Sequence, residues 1–317
     1  MLPLSGPLLL FAFASLRVPP RFDDSFDDVV PEGKLLAVYP HSNASYCEGL
    51  VFDNAIGVLV ESSGEFGSSA ISTIDLETGV AISRVTLPQK IFGEGTTLVR
   101  RKGSSAAVAV QLTYEAQTAY FYDVHNATRA LGPAARRQAH FTTATRQGWG
   151  LTSNGTHLIA SDGSSALYFF DTTTLAPRGS VQMWYDDASV GKRTPLAYVN
   201  ELEWLPPWVG SGSGSGGGVL GSELGGGESG VLVANLFYPN YYLLWRINLV
   251  TGEAKMALNI TTACAEAGVV AADYDHVFNG IAIDTRAGSS APPKLLLTGK
   301  FWSKLLVVDA APLYAEE

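Results

Sequence analysis

Short apolar runs broken by Gly, Asn or Asp recur along the chain, among them Gly57-Val-Leu-Val-Glu61, Thr156-His-Leu-Ile-Ala160 and Lys294-Leu-Leu-Leu-Thr298. Runs of that length between turn residues read as β-strands. One signature repeats: an apolar strand ending in Asp or Asn, followed by a polar turn. It appears as Ile71-Ser-Thr-Ile-Asp75, Tyr120-Phe-Tyr-Asp123, Leu167-Tyr-Phe-Phe-Asp171, Leu244-Trp-Arg-Ile-Asn248 and Leu305-Leu-Val-Val-Asp309. A carboxylate or amide at that place accepts backbone N–H bonds about two residues on, which fixes the turn. Successive copies lie 48, 48, 77 and 61 residues apart, and the third interval holds a Gly/Ser-rich insertion at 209–230. Helical periodicity is nearly absent, with Thr261 to Ala272 the one short candidate. A period near 48 residues fits a four-stranded propeller blade. Five copies predict an all-β chain folded as a five-bladed β-propeller over residues 35–313. A β-sandwich has similar strand spacing but no reason to repeat one strand–turn signature five times.

Composition sharpens this in three places. The 317 residues carry 21 Lys and Arg against 30 Asp and Glu, a net charge of −9, and an acidic surface repels nucleic-acid phosphates. Residues 1–21 resemble a secretory leader, with an apolar run from Leu8 to Ala14 and a small-residue Ala12-Phe13-Ala14 site. An acidic lead-in, 22–34, follows. Four sequons, at Asn43, Asn126, Asn154 and Asn259, agree with secretion or residence in the secretory pathway. No apolar stretch is long enough to span a membrane, and a monomer is expected. Cys47 and Cys264 leave two readings open, one bridge or two buried thiols.

Familiar catalytic signatures are missing: there is no G-x-S-x-G elbow, no H-E-x-x-H and no phosphate-binding loop, and five histidines stand singly. What stands out is polar or aromatic groups set among glycines. These are Ile91-Phe-Gly-Glu94-Gly, Gln147-Gly-Trp149-Gly, Val199-Asn200-Glu201-Leu-Glu-Trp204 and Thr298-Gly-Lys300-Phe-Trp302. Glycines on both sides of Glu94 let a ligand approach it closely.

Together with Ser45-Tyr-Cys-Glu-Gly-Leu, Ser161-Asp-Gly-Ser-Ser-Ala-Leu-Tyr-Phe and Phe278-Asn-Gly-Ile-Ala, these segments resemble the plant- and bacterial-type glutaminyl cyclotransferases. The likeness runs from about Tyr39 to Asp309. It implies a five-bladed propeller that turns the N-terminal glutamine of peptides or proteins into pyroglutamate, releasing ammonia, with no metal and no cofactor. It puts acid/base catalysis on Glu94 and carbonyl-oxygen stabilisation on Trp149, Asn200 and Lys300. Tyr46, Glu48, Phe92, Tyr114 and Phe237 would bind substrate. Three positions depart from the family pattern: Glu48 stands where Gln is usual, and Tyr114 and Phe237 where Trp is usual. Ionised Glu only accepts hydrogen bonds, whereas Gln also donates. Two other readings of the same residues are a catalytically silent propeller binding peptides or glycans, and a lactonase-type hydrolase. The latter would need a metal cage such as Glu94, Asn200 and Asp273 or Asp275.

Overall fold

The computed structural model describes residues 30–100, 106–208, 230–269, 275–288 and 291–315. The leader, most of the acidic lead-in and the insertion up to residue 229 lie outside these residues, as does Asp273. The first strand, β1 (Leu35–Pro40), stands apart from its sequence neighbours. Blade one follows as β2 (Cys47–Asp53), β3 (Val58–Ser63), β4 (Ala70–Asp75) and β5 (Ala81–Thr86). Blade two holds β6 (Gly93–Arg100), β7 (Ala107–Thr113), β8 (Thr118–His125), the short β9 (Ala130–Leu131) and β10 (Arg137–His140). Blade three is β11 (Leu151–Ser153), β12 (His157–Ser161), β13 (Ala166–Asp171) and β14 (Pro177–Gln182). A hairpin, β15 (Trp184–Asp187) and β16 (Lys192–Pro195), leads to blade four: β17 (Val199–Leu205), β18 (Val231–Leu236), β19 (Leu243–Ile247) and β20 (Ala254–Asn259). After helix α1 (Thr261–Glu266), blade five is β21 (Phe278–Asp284), β22 (Lys294–Gly299) and β23 (Lys304–Asp309). Its fourth strand is β1, paired antiparallel to β23 from Leu35 opposite Val308 to Pro40 opposite Lys304. The ring therefore closes through a pairing between opposite ends of the chain.

The repeat that counts the blades falls on their third strands, β4, β8, β13, β19 and β23. Asp171 Oδ1 accepts from the N–H of Thr173 and Thr174 at 3.0 and 2.9 Å. Asn248 Oδ1 does the same for Val250 and Thr251 at 2.9 and 3.0 Å, and Asp309 Oδ1 for Ala311 at 2.9 Å. Asp123 differs, taking Arg136 Nη1 at 2.8 Å.

Apolar side chains on both faces of each sheet pack against the neighbouring blades. Five core clusters result, one for each blade-to-blade seam. Leu50 and Leu59 of blade one, for example, meet Leu296 and Leu305 of blade five, each at most 1% exposed. Each such side chain contributes roughly 2 kcal/mol. Cys47 and Cys264 sit in different clusters as free, buried thiols. Of the sequon asparagines, Asn43 and Asn126 are exposed. Asn154 is buried, its Oδ1 fixing a turn through the N–H of Thr156 and His157.

Candidate active site

The first strands of the blades line the centre of the ring, and four of them break register at their starts. The irregularities lie at Cys47/Gly49, Gly93/Thr96, Val199/Leu202 and Phe278/Ile281. A bulge re-aims the side chain that it carries. Here it carries Glu48, Glu94, Asn200 and Asn279. In blade three the corresponding place precedes β11, where Trp149 N–H donates to Ser161 O at 3.1 Å and Ser161 N–H to Gly150 O at 3.2 Å. The glycines that follow these side chains let neighbouring strands touch. A Cβ on Gly95 would lie 2.4 Å from Leu151 N, and one on Gly150 only 1.9 Å from Asn200 O. Gly95 N–H in turn donates to Trp149 O at 2.8 Å, a bond from blade two to blade three.

A closed circuit of side chains surrounds this end of the ring. Lys300 Nζ lies 4.3 Å from the Tyr46 ring centroid and 4.7 Å from that of Phe237. Phe237 meets Trp149 edge-on at 6.0 Å, and Trp149 Nε1 donates to Gln147 Oε1 at 3.1 Å. Gln147 also hydrogen-bonds Tyr114, whose ring lies 6.1 Å from Phe92; Phe92 lies 6.1 Å from Tyr46, which closes the loop. At the rim, Phe66 packs on Phe92 at 5.3 Å with 48% of its surface exposed.

Inside this circuit sit two carboxyls and one ammonium. Lys300 Nζ donates to Glu48 Oε1 at 2.8 Å, and Asn279 Nδ2 to Glu48 Oε2 at 3.0 Å. Burial pushes Glu48 up to about 7 against the pull of Lys300. Burial opposes the Lys300 ammonium most strongly, but Glu48, through its charge and its hydrogen bond, together with Tyr46 and Glu94, holds its pKa above the ordinary value. Glu94 is 6% exposed and has no hydrogen bond among the described residues. Burial, then the charge of Glu48, raises its pKa well above the usual carboxylate range. Asn200 is 2% exposed, and its side-chain amide is likewise without a hydrogen bond among the described residues.

Two segments on the closure seam fix Tyr46 and Lys300. His41 Nδ1 donates to Trp302 O at 2.7 Å, and its Nε2 lies 3.1 Å from Glu61 Oε2. Ser45 donates to the other oxygen of Glu61. Burial works against the His41 cation, but Glu61 prevails and raises its pKa. Phe301, at φ 59°, donates its N–H to Ser45 O at 2.8 Å and packs on Tyr46 at 5.0 Å.

The whole nine-residue set read from the sequence therefore gathers at one end of the ring. The sequence matches the family model described as glutamine cyclotransferase over residues 9–214 and 220–310. The chain belongs to the glutamine cyclotransferase family. It is also 27% identical over 179 residues to a glutaminyl-peptide cyclotransferase of Arabidopsis thaliana. That alignment covers 56% of this chain and 51% of the plant protein, so the chain spans about half the length of the curated relative it matches. A crystal structure of glutaminyl cyclase from Myxococcus xanthus superposes with a TM-score of 0.62 at 24% identity, over 89% of this chain and 97% of that one. That likeness shows the five-bladed fold.

Two members of this cyclotransferase-family site escaped the sequence reading. Asn279 holds Glu48 and also donates to Cys47 O at 2.9 Å. The signal was its place before Gly280, the position that Glu48, Glu94 and Trp149 occupy before their own glycines. Gln147, which ties Trp149 to Tyr114, likewise stands before a glycine, Gly148. Below the site, Glu201 and Glu203 occupy the ring's interior. Glu201 accepts the N–H of Leu50 at 2.8 Å on one oxygen and that of Ile281 on the other. Glu203 accepts from Ile283 N–H at 3.1 Å and Thr152 Oγ1 at 3.4 Å. Among the described residues no three His, Cys, Asp or Glu side chains cluster as a metal site.

Proposed function

We propose that the chain is a glutaminyl-peptide cyclotransferase acting on peptides or proteins with N-terminal glutamine. The observation that carries this reading is Glu94: a buried carboxyl with no hydrogen bond among the described residues, inside an aromatic circuit, within the field of the Lys300 ammonium. Family membership sets the reaction class.

In the reaction the free α-amine attacks the side-chain amide carbon of the same residue, a five-membered lactam closes, and ammonia leaves. Nucleophile and electrophile belong to one residue, so the principal task is to hold the glutamine in a folded shape. Phe92, Tyr114, Tyr46 and Phe237 supply rigid walls for that purpose. Protons must leave the amine and reach the departing nitrogen, and a carboxyl with a raised pKa serves both as acid and as base. Glu94 has that property. Negative charge growing on the amide oxygen calls for fixed donors. The Asn200 amide has N–H groups without hydrogen bonds among the described residues, and Lys300 has two further N–H groups beyond the one on Glu48. Trp149 donates to Gln147 in the present geometry. Its part is to wall the pocket, and to donate to substrate once that bond is exchanged.

A secretory location and a monomeric state complete the proposal. The exposure of Asn43 and Asn126 supports the former, and a mass shift on deglycosylation of protein secreted from eukaryotic cells tests it. The test of function is incubation with a glutaminyl tripeptide, following ammonia release together with loss of the free amine. Turnover that Glu94→Gln abolishes supports the reading. Binding without ammonia release would favour a silent propeller.

A further inference from the structure

The site holds one cation for two carboxyls, and the donors are shared unequally. Lys300 and Asn279 both turn to Glu48, at 2.8 and 3.0 Å, while Glu94 receives neither. The two carboxyls are neighbours by construction: a Cβ on Gly49 would lie 2.8 Å from Gly95 Cα, so the residues before these glycines stand side by side. Glu94 feels the charge of Glu48, which disfavours its ionisation. Two carboxylates beside one ammonium do not both ionise in a buried site. The one with donors keeps the charge, and the one without keeps the proton. The remaining groups facing Glu48 add no cation. Glu65 and Tyr46 act on it from the rim and Glu201 from below, so that Lys300 alone opposes them.

Resting on the cyclotransferase reading, we infer that Glu48 is a second acid/base residue, which takes the first proton from the substrate ammonium and thereby releases Lys300 to the reacting oxygen, while Glu94 acts first as an acid. An α-amine has a pKa of about 7.7–8.0 and arrives largely as ammonium at neutral pH. Glu94, already protonated, cannot accept from it. Glu48 can, and becomes neutral as it does so. The free amine then forms the new C–N bond to the amide carbon, whose C=O electron pair moves to oxygen, within reach of the unpaired Lys300 ammonium. Glu94 gives its proton to the amide nitrogen, the old C–N bond breaks with its electrons on that nitrogen, and ammonia leaves as the carbonyl reforms. The lactam nitrogen returns its surplus proton to Glu94, and Glu48 passes its own to ammonia, giving ammonium. Charge and protons balance, and both residues end as they began.

The experiment compares wild type, Glu48→Gln and Glu48→Asp in the full chain, measuring kcat/KM for ammonia release from a glutaminyl tripeptide between pH 6 and 9.5. Without Glu48 the reaction must use amine already neutral in solution. The Gln variant then stays within threefold of wild type above pH 9 and falls about 20-fold from that high-pH value by pH 6.5, as an amine pKa near 7.8 dictates, a steeper fall than that of wild type, while Asp keeps the wild-type profile. A Gln variant that follows the wild-type profile throughout overturns the inference, as does one that loses the same factor at every pH. An infrared difference spectrum between wild type and Glu94→Gln reads the charge assignment without turnover. A protonated-carboxyl band assigned to Glu94 at pH 7, which disappears in the Glu48→Gln background as Lys300 turns to Glu94, supports it; an ionised Glu94 in wild type overturns it. If wild type releases no ammonia, the functional reading falls, and the spectrum still decides which carboxyl holds the proton.

Discussion

Glu94 and Glu201 are both buried carboxyls near the axis of the ring, yet among the described residues Glu201 receives two backbone N–H bonds and Glu94 none. Burial raises the pKa of each. In the interior, Glu201 and Glu203 answer a need of the sheets themselves. The N–H groups of Leu50, Ile281 and Ile283 face the axis, and the two carboxyls satisfy them. A buried N–H without a partner costs about 1–3 kcal/mol. At the mouth the relation is reversed, because the fold spends its donors elsewhere and leaves a carboxyl and an amide for a visitor. Hydrogen bonding, more than burial or pKa, separates a structural acid from a chemical one.

The largest effect expected from this contrast is at Glu94. Glu94→Gln lowers kcat by about 10³-fold, with a melting temperature no lower than that of wild type, since no protein bond is lost. Equal loss of stability and activity would erase the distinction. Next in size is Gly150→Ala, which drives a methyl group to 1.9 Å from Asn200 O. Overpacking there costs about 3 kcal/mol in a urea titration, and it displaces Asn200. A third test addresses the interior. Glu203 is raised from 4.5 to about 8 by burial, opposed by its N–H and hydroxyl donors. The folded state then binds more protons than the unfolded chain between those values, so stability falls as pH rises from about 4.5 to 8. Glu203→Gln flattens that slope by about 3.5 kcal/mol, read as the change in unfolding free energy between pH 5 and 8, with activity at pH 8 kept. The smallest effect is at the rim. Phe66→Ala raises KM about threefold for tripeptides with an apolar second residue, a loss of well under 1 kcal/mol, and leaves kcat unchanged.

The blades were legible because their signal is local. An Asp or Asn and the turn it fixes occupy three or four residues, and Asp171 and Asn248 behave as that chemistry requires. Closure was not legible. β1 offers an alternating Leu-Leu-Ala-Val-Tyr-Pro pattern, but nothing in those six residues names a partner 273 positions away, as Leu35 has in Val308. The hairpin β15–β16 was also missed, none of its residues being buried and its strands having no apolar period. At the site, residue types and flanking glycines marked Glu94, Trp149, Asn200 and Lys300. What they could not convey was partnership. Glu48 reads as a departure from a pattern until Lys300 is found 2.8 Å away across the seam, and Glu201 and Glu203 read as charges until three N–H groups are found to need them.

The seam joining β1 to β23 carries a consequence for the order in which the protein becomes competent. During synthesis β1 emerges first and finds its neighbour only when β23 has been made, so the final blade forms late and across the greatest loop in the chain. Glu48 stands in blade one and Lys300 in blade five, the blade that this pairing completes. A chain halted before closure has its carboxyls but not its ammonium, and an open ring brought to the same peptide has an incomplete catalytic set. Joining β1 to β23 is thus a late step of assembly and, at once, the step that completes the site.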